Sequence, residues 1–501
     1  MQRRLKDFVA GAAVFFALAM TWSLATPLMG VPDEPAHAVR AAAAAHGQLT
    51  SVSSEVVPGT AEFDVPVGIA QANNLACMAF DPTLTAECQP DVPDEAQPLG
   101  AGTSTAGLNL PTYYVLVGWP TLLLGGEAGM WAMRIVSILL CSLAVGAAVM
   151  ELRSAPRSRW ALTGLALAAT PMTLWLAGSL NPNGLEWAAS AAALAALVAI
   201  ARDADASRGV LVQRVAVVVA AAVLLVSARS ITIAWLLVAI AAALALANAE
   251  SLRAVVRRRT LWIGVAIGAL YAGACALWIV RPPQYDSYVL PVPGIGETFA
   301  QGFSTVWRGT PFYWRQMVGV FGWNDTQAPD IVVAAYAAAI GALVLGAVAL
   351  ARMRTRLVLL GVVAVMLIVP PVVQGLLVTE VGYMWQGRYM LAILAMLLIV
   401  AGIALDEREP SLGAARLQGT LLVVAATASA FALLVMAQRF AAGTDQGWRV
   451  FLLDPSWQPP LGTIGVTILA ALTTAAAVLA LVRAGDGRTE PVVVRSTASV
   501  R

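Results

Sequence analysis

Lysine is nearly missing from this 501-residue chain: Lys6 is the only one, and every other basic residue that is not histidine is arginine. Charged residues of all kinds make up 12% of the sequence and balance to a net charge of +2. That leaves no basic surface of the kind a nucleic-acid partner requires. Cysteine is scarce, at four residues, and no two form a CxxC pair; with only two histidines there is no His/Cys cluster of zinc spacing. No internal repeat is visible. What is abundant is apolar surface, with 59% hydrophobic residues and a mean hydropathy of +0.76. A soluble chain of this length could not hide that much, so the composition predicts an all-α polytopic membrane protein. The abundance of alanine and the preference for arginine over lysine point to a GC-rich bacterial genome.

Apolar runs predict about twelve transmembrane helices, at residues 8–29, 128–150, 160–178, 185–201, 210–227, 231–248, 261–280, 331–351, 357–378, 389–405, 418–438 and 461–482. The first run is too long and too poorly punctuated for a cleaved signal peptide. Arginines orient the set: Arg153, Arg157 and Arg159, Arg202 and Arg208, Arg253 with Arg257, Arg258 and Arg259, Arg352, Arg354 and Arg356, Arg408 and Arg416, and Arg483 with Arg488 all fall on one side. By the positive-inside rule that side is cytoplasmic, together with both termini, in a bacterial plasma membrane. This requires residues 110–125, apolar but short and rich in Tyr113, Tyr114 and Trp119, to lie as a juxtamembrane helix at the opposite interface. The expected organisation is therefore a transmembrane domain over residues 1–485, with extracytoplasmic loops at 30–109, 281–330 and 439–460, and a disordered cytoplasmic tail at 486–501. Cys77 and Cys88 share the first of these loops, outside the reducing cytoplasm, which makes them a disulfide candidate.

Polar residues gather at the extracytoplasmic ends of the spans. Directly after the first span come Val31-Pro32-Asp33-Glu34-Pro35-Ala36-His37. If Glu34 caps a helix and Pro35 takes its first position, Asp33, Glu34, His37 and Arg40 lie near one face, facing water and lipid headgroups together. Two carboxylates and an imidazole there suit acid–base chemistry on a lipid-linked substrate; capping of a helix start is the competing reading, and explains one carboxylate but not the set. Tyr113 and Tyr114 read as substrate contacts or as interfacial anchors, and Asn181-Pro182-Asn183-Gly184 as a substrate loop or a tight turn. Glu186, just inside the next span, needs a cavity or a protein partner. Arg229 stands on the side where arginine is disfavoured and needs an anionic partner, protein or lipid phosphate; Arg388, followed by Tyr389, opens another span on that side. Two arginines near one acidic site would suit a phosphate leaving group, because guanidinium matches phosphate in charge and geometry.

This constellation resembles a family. Asp33-Glu34 after the first span is similar to the Asp-Glu motif of protein O-mannosyltransferases and other GT-C membrane glycosyltransferases. The larger set of Asp33 to His37, Pro111-Thr112-Tyr113-Tyr114, Ser179 to Gly184, Arg229 and Gln386-Gly387-Arg388-Tyr389 more closely resembles a bacterial family of membrane proteins of unknown function, regarded as GT-C relatives. The resemblance runs from the first span to about Met390. It implies a GT-C-like fold and transfer of a sugar, with inversion, from a polyprenyl-phosphate donor to an envelope glycan, lipid or protein acceptor on the extracytoplasmic face. Asp33 would be the catalytic base with Glu34 beside it, and His37, Arg40, Tyr113, Tyr114, Asn181, Asn183, Arg229, Arg388 and Tyr389 would bind substrate. No cofactor is implied, although Asp33, Glu34 and His37 leave room for a divalent metal. The chain departs from GT-C archetypes at Asn109-Leu110-Pro111, where several show His or Lys before paired prolines, and is expected to lack their extended soluble C-terminal domain. Competing classes are a transporter or flippase of an envelope precursor, for which Glu186 and Glu380 could carry protons, and a noncatalytic envelope-assembly subunit. Against transport, the polar residues concentrate at one face and no inverted repeat or paired broken helices are evident.

Overall fold

The computed structural model describes residues 2–50, 52–229, 231–280, 292–408 and 413–486. The expected tail beyond residue 486 and part of the 281–330 loop lie outside these. Among the described residues ten helices are long and apolar enough to cross a membrane, and two bent pairs raise the number to as many as twelve. The chain is thus a multi-pass helical membrane protein, and each of the twelve hydropathy runs coincides with one of these helices or pairs.

Three of the spans differ from expectation, two of them for an evident local reason. The first helix, Gln2–Leu24, stops five residues before Met29, because Pro27 and a left-handed Met29 (φ 60°) turn the chain away from the helix axis. The third span is broken by 72° between Arg159–Ala168 and Pro171–Ala177. There the Thr170 hydroxyl accepts from the Thr173 amide, so a fresh N-cap followed by Pro171 starts a second helix. The sixth turns through 119° between Thr232–Leu246 and Ala249–Val256.

Between the first and second spans the chain is folded, not merely extended. The helix Glu34–Ala45 is buried along nearly its whole length. It packs on the helix Pro111–Gly118 and on an antiparallel sheet of Val52–Ser53, Ala61–Pro66 and Leu99–Ser104, in that order. Its alanines permit close approach: a Cβ on Gly118 would stand 2.0 Å from the Ala41 carbonyl oxygen, so only glycine fits. The helix Pro111–Gly118 and the short 3₁₀ turn Trp119–Leu122 are not among the helices long and apolar enough to span a membrane. They bury Tyr113, Tyr114 and Val117 and expose Val115, Leu116, Trp119 and Leu122, so one apolar face is packed and the other is open. The Cys77 and Cys88 sulfurs are bonded to each other, closing a loop beside this layer. Two central helices, Pro182–Arg202 and Leu391–Asp406, are almost entirely enclosed by the others and form the middle of the core.

Candidate functional site

The ends of four spans meet at one end of the bundle: the segment after Leu24, the start of Pro182–Arg202, the end of Arg208–Ala228, and the 3₁₀ turn Gly387–Met390 that leads into Leu391–Asp406. Asp33 occupies the N-cap position of the Glu34–Ala45 helix, one residue earlier than the sequence suggested, with Glu34 as the first helical residue. Its side chain makes no capping hydrogen bond. Its backbone is left-handed (φ 66°, ψ −5°), a conformation that Asp and Asn tolerate better than other side chains but that still needs support.

That support comes from both neighbours. The Pro32 carbonyl accepts from Asn181 Nδ2 at 3.2 Å, and the Glu34 carboxylate accepts from Arg134 Nε at 2.6 Å, Arg134 Nη2 at 2.7 Å and the Leu180 amide at 3.0 Å. Arg134 also donates to the Thr26 and Pro27 carbonyls, so it staples the whole turn between the first span and Asp33. Glu34, expected beside Asp33 at the reacting centre, is instead fully buried in a completed ion pair, with both oxygens taken. Arg40 is likewise turned inward: its guanidinium donates to the carbonyls of Gln48, Leu49 and Asn109 and lies 5.3 Å from the Phe63 ring centroid, which ties the sheet and the segment before the Pro111–Gly118 helix to its own helix. Asn181 caps the Pro182–Arg202 helix by accepting from the Asn183 amide at 3.0 Å.

The one acidic side chain of the motif that turns into the site is Asp33. Arg388 Nη2 donates to its Oδ2 at 2.6 Å, across 355 positions of sequence. Arg388 is 4% exposed and Asp33 41%, so the pair has one buried and one accessible member. Among the described residues, Arg388 Nε and Nη1 have no hydrogen-bond partner although both are buried. The turn that presents Arg388 is pinned from two sides: the Gly387 amide donates to Gln316 Oε1 at 2.7 Å, and Gln374 Oε1 accepts from the amides of Met384 and Trp385. A Cβ at position 387 would lie 2.4 Å from the Tyr313 carbonyl oxygen, which explains the glycine in Gln386-Gly387-Arg388-Tyr389.

A second guanidinium approaches the same point. Arg229, directly after the Arg208–Ala228 helix, lies 4.0 Å from the centroid of the Tyr389 ring, and Arg388 lies 5.5 Å from it. Burial works against the Arg229 charge, but Tyr389, Glu186 and Asp33 outweigh it and hold the group firmly protonated. Burial likewise opposes the Asp33 charge, yet Arg388, His37 and Arg229 together hold its carboxyl below the usual range. His37 is pushed down to about 4, chiefly by burial, and so is neutral at pH 7. Its Nδ1 lies 3.0 Å from the Tyr114 hydroxyl, which accepts from Asn109 Nδ2 at 2.8 Å; burial raises that phenol to about 12. Tyr113 faces the other way, onto Ser137 Oγ at 3.1 Å. Asp33, Glu34 and His37 do not converge on one point, and no group of three or more His, Cys, Asp or Glu side chains among the described residues is placed to hold a metal ion.

Sequence reasoning passed over two further residues. Arg134 sits alone in a strongly apolar run, and that isolation was the available signal. Arg439, in a part of the chain that showed no motif, is wholly buried; it pairs with Asp325 and donates to the carbonyls of Met78, Asp81 and Leu84 in the disulfide loop. Trp323, two residues from Asp325, donates its indole N–H to the Met29 carbonyl at 3.3 Å, so this assembly abuts the turn that carries Asp33.

Residues 15–398 match the DUF2142 family, described as "Predicted membrane protein". The chain belongs to that family. No curated protein matches it. Among solved structures it is similar to ArnT from Cupriavidus metallidurans bound to undecaprenyl phosphate, with 18% identity and a TM-score of 0.45, and to the same protein in the apo state, with 18% identity and a TM-score of 0.42. Each likeness covers 95% of this chain and 75% of the other. Asp33, Arg134, Asn181, Arg229 and Arg388 all lie within the family match, whereas Arg439 falls beyond it.

Proposed function

We propose that the chain is a membrane glycosyltransferase that moves a sugar from a polyprenyl-phosphate donor to an envelope acceptor on the extracytoplasmic face, with inversion. The observation that carries this reading is the incomplete ion pair. Asp33 is accessible, while Arg388 is buried with two of its three nitrogens lacking a hydrogen-bond partner among the described residues. A buried guanidinium without a full set of acceptors is unfavourable, and a phosphate supplies the missing oxygens. The arginine distribution supports assigning the Asp33 end of the bundle to the side away from the cytoplasm.

In this mechanism the donor phosphate engages Arg388 and Arg229, drawing Arg388 away from Asp33. The carboxylate that the arginine had held weakly basic becomes a better base at the moment the donor is in place. Asp33 then takes the proton of an acceptor hydroxyl as its oxygen attacks the anomeric carbon. The bond from that carbon to the phosphate oxygen breaks, its electron pair leaves with the phosphate, and the two guanidiniums neutralise the growing charge. Glu34, Asn181 and Arg134 act as positioning residues for the Asp33 turn. His37, Tyr114 and Asn109 form a neutral polar wall beside it, and Val115, Leu116 and Trp119 offer an apolar surface to the lipid.

Asp33→Asn tests the reading in the purified protein, with release of polyprenyl phosphate from a polyprenyl-phosphate sugar as the readout. Asn keeps the shape and the tolerance for left-handed backbone but cannot take a proton at neutral pH, so turnover falls about 10²-fold or more with folded yield retained. Turnover at the parental rate would remove Asp33 from the chemistry.

A further inference from the structure

One buried carboxylate near the site has no part in this mechanism. Glu186 lies on the first turns of the Pro182–Arg202 helix and is 2% exposed. Its Oε1 accepts from the indole Nε1 of Trp235 at 2.9 Å, while its Oε2 is buried with no hydrogen-bond partner among the described residues. One neutral donor does not compensate a carboxylate enclosed in protein at membrane depth, which requires a counter-charge. The charged group that acts on it is Arg229. Arg229 in turn is held over Tyr389, the ring it shares with Arg388. Two cations therefore crowd one aromatic ring, with Asp33 bonded to one of them. Glu186 is tied through Trp235 to the Thr232–Leu246 helix, which begins just after Arg229 and whose Thr232 hydroxyl donates to the Arg229 carbonyl at 2.6 Å.

We propose that Glu186 is the resident counter-charge of Arg229: it neutralises this guanidinium in the empty site and competes for it with an incoming phosphate-bearing lipid. The proposal rests on the donor reading above and adds a function to it. Glu186 weakens the hold of the site on any anionic headgroup, and so speeds escape of the polyprenyl phosphate left after transfer. Its role is to set affinity through Arg229, without touching the reacting atoms. Trp235 aims it by fixing one oxygen and leaving the other free.

Glu186→Gln is the direct test. It is isosteric and keeps an oxygen for Trp235, but removes the competing charge. Farnesyl phosphate, a short polyprenyl monophosphate, serves as the probe in calorimetric titrations of the detergent-purified full chain. The variant binds it roughly tenfold more tightly than the parent, the scale of one charge acting over several ångströms at an intermediate dielectric. Glu186→Asp retains parental affinity within a few-fold, and Trp235→Phe, which frees both Glu186 oxygens for Arg229, weakens binding. With Arg229→Gln in the background, Glu186→Gln changes nothing. In turnover, Glu186→Gln lowers KM for the donor and deepens inhibition by the product, a split that a merely structural role would not produce. Unchanged or weaker binding by a folded Glu186→Gln protein, or equal tightening without Arg229, overturns the proposal. If binding is lost in Arg388→Gln while Glu186→Gln has no effect, the donor site stands and only this inference falls. If the parent binds no farnesyl phosphate at all, both fall.

Discussion

Asp33 and Glu34 are adjacent carboxylates, each bonded to an arginine from a distant helix, and the two pairs have little else in common. Glu34 and Arg134 are 0% and 1% exposed, joined by two short bonds, with the spare oxygen capacity taken by the Leu180 amide and the spare nitrogens by two carbonyls. Asp33 and Arg388 share one bond, Asp33 is open to its surroundings, and among the described residues two Arg388 nitrogens have no hydrogen-bond partner. The first pair is complete and leaves nothing for a ligand to do. The second is short of acceptors by about one anionic group. A motif of two acids thus separates into a fastener and a site, and the distinction lies in which hydrogen-bonding capacity is left over, not in residue type.

The harshest way to break this comparison is the same chemical change at both positions. Glu34→Gln leaves Arg134 charged, buried and half-partnered, and costs about 3–5 kcal/mol, read as a large drop in thermal midpoint and folded yield. Asp33→Asn, at the accessible member of its pair, keeps an amide oxygen for Arg388 and costs less, about 1–3 kcal/mol, while abolishing most turnover. Equal stability losses at the two positions would make Asp33 a second fastener and remove the reason for placing chemistry there.

Acid sharpens the contrast through His37, which faces Asp33. Its folded value of about 4 lies below its ordinary 6.5, so between these limits the unfolded chain takes up a proton that the folded chain refuses. Stability is therefore full above about pH 6.5 and declines as pH falls toward 4, by up to roughly 3 kcal/mol. His37→Gln keeps a polar partner for Tyr114 and removes the titration, so its unfolding free energy should be flatter across this window. A parent protein as stable at pH 4.5 as at pH 7 would mean that His37 is not held neutral by its surroundings.

Much of this was legible in the chain. The spans follow from hydropathy, which is local and strong, and Arg229 and Arg388 stood out because arginine at those ends runs against the charge bias. The division of labour between Asp33 and Glu34 was not legible. It depends on Arg134, 100 positions away from Glu34, and on a left-handed turn that rotates the two side chains apart. The sheet within residues 52–104 and the carbonyl cage around Arg439 were also hidden, since each is built from backbone groups whose partners no side-chain pattern announces. Hydropathy likewise could not show that Pro171 divides its span, because a bend at proline leaves mean hydropathy unchanged.

The gentlest test keeps every charge and alters only the shape of one. Arg388→Lys preserves a cation beside Asp33, and a lysine ammonium can still make that single bond, so stability and the resting pair should change little. What is lost is the planar fork, the two unused nitrogens that set this pair apart from the Glu34 fastener. If those nitrogens receive the donor phosphate, the variant loses about tenfold in kcat/KM for the polyprenyl-phosphate sugar, carried mainly by KM. The matching change at the fastener, Arg134→Lys, forfeits several bonds at once and should act on thermal stability first. An Arg388→Lys protein with parental KM would show that the open side of the guanidinium is not where the donor binds, and the phosphate would then have to be sought at Arg229 alone.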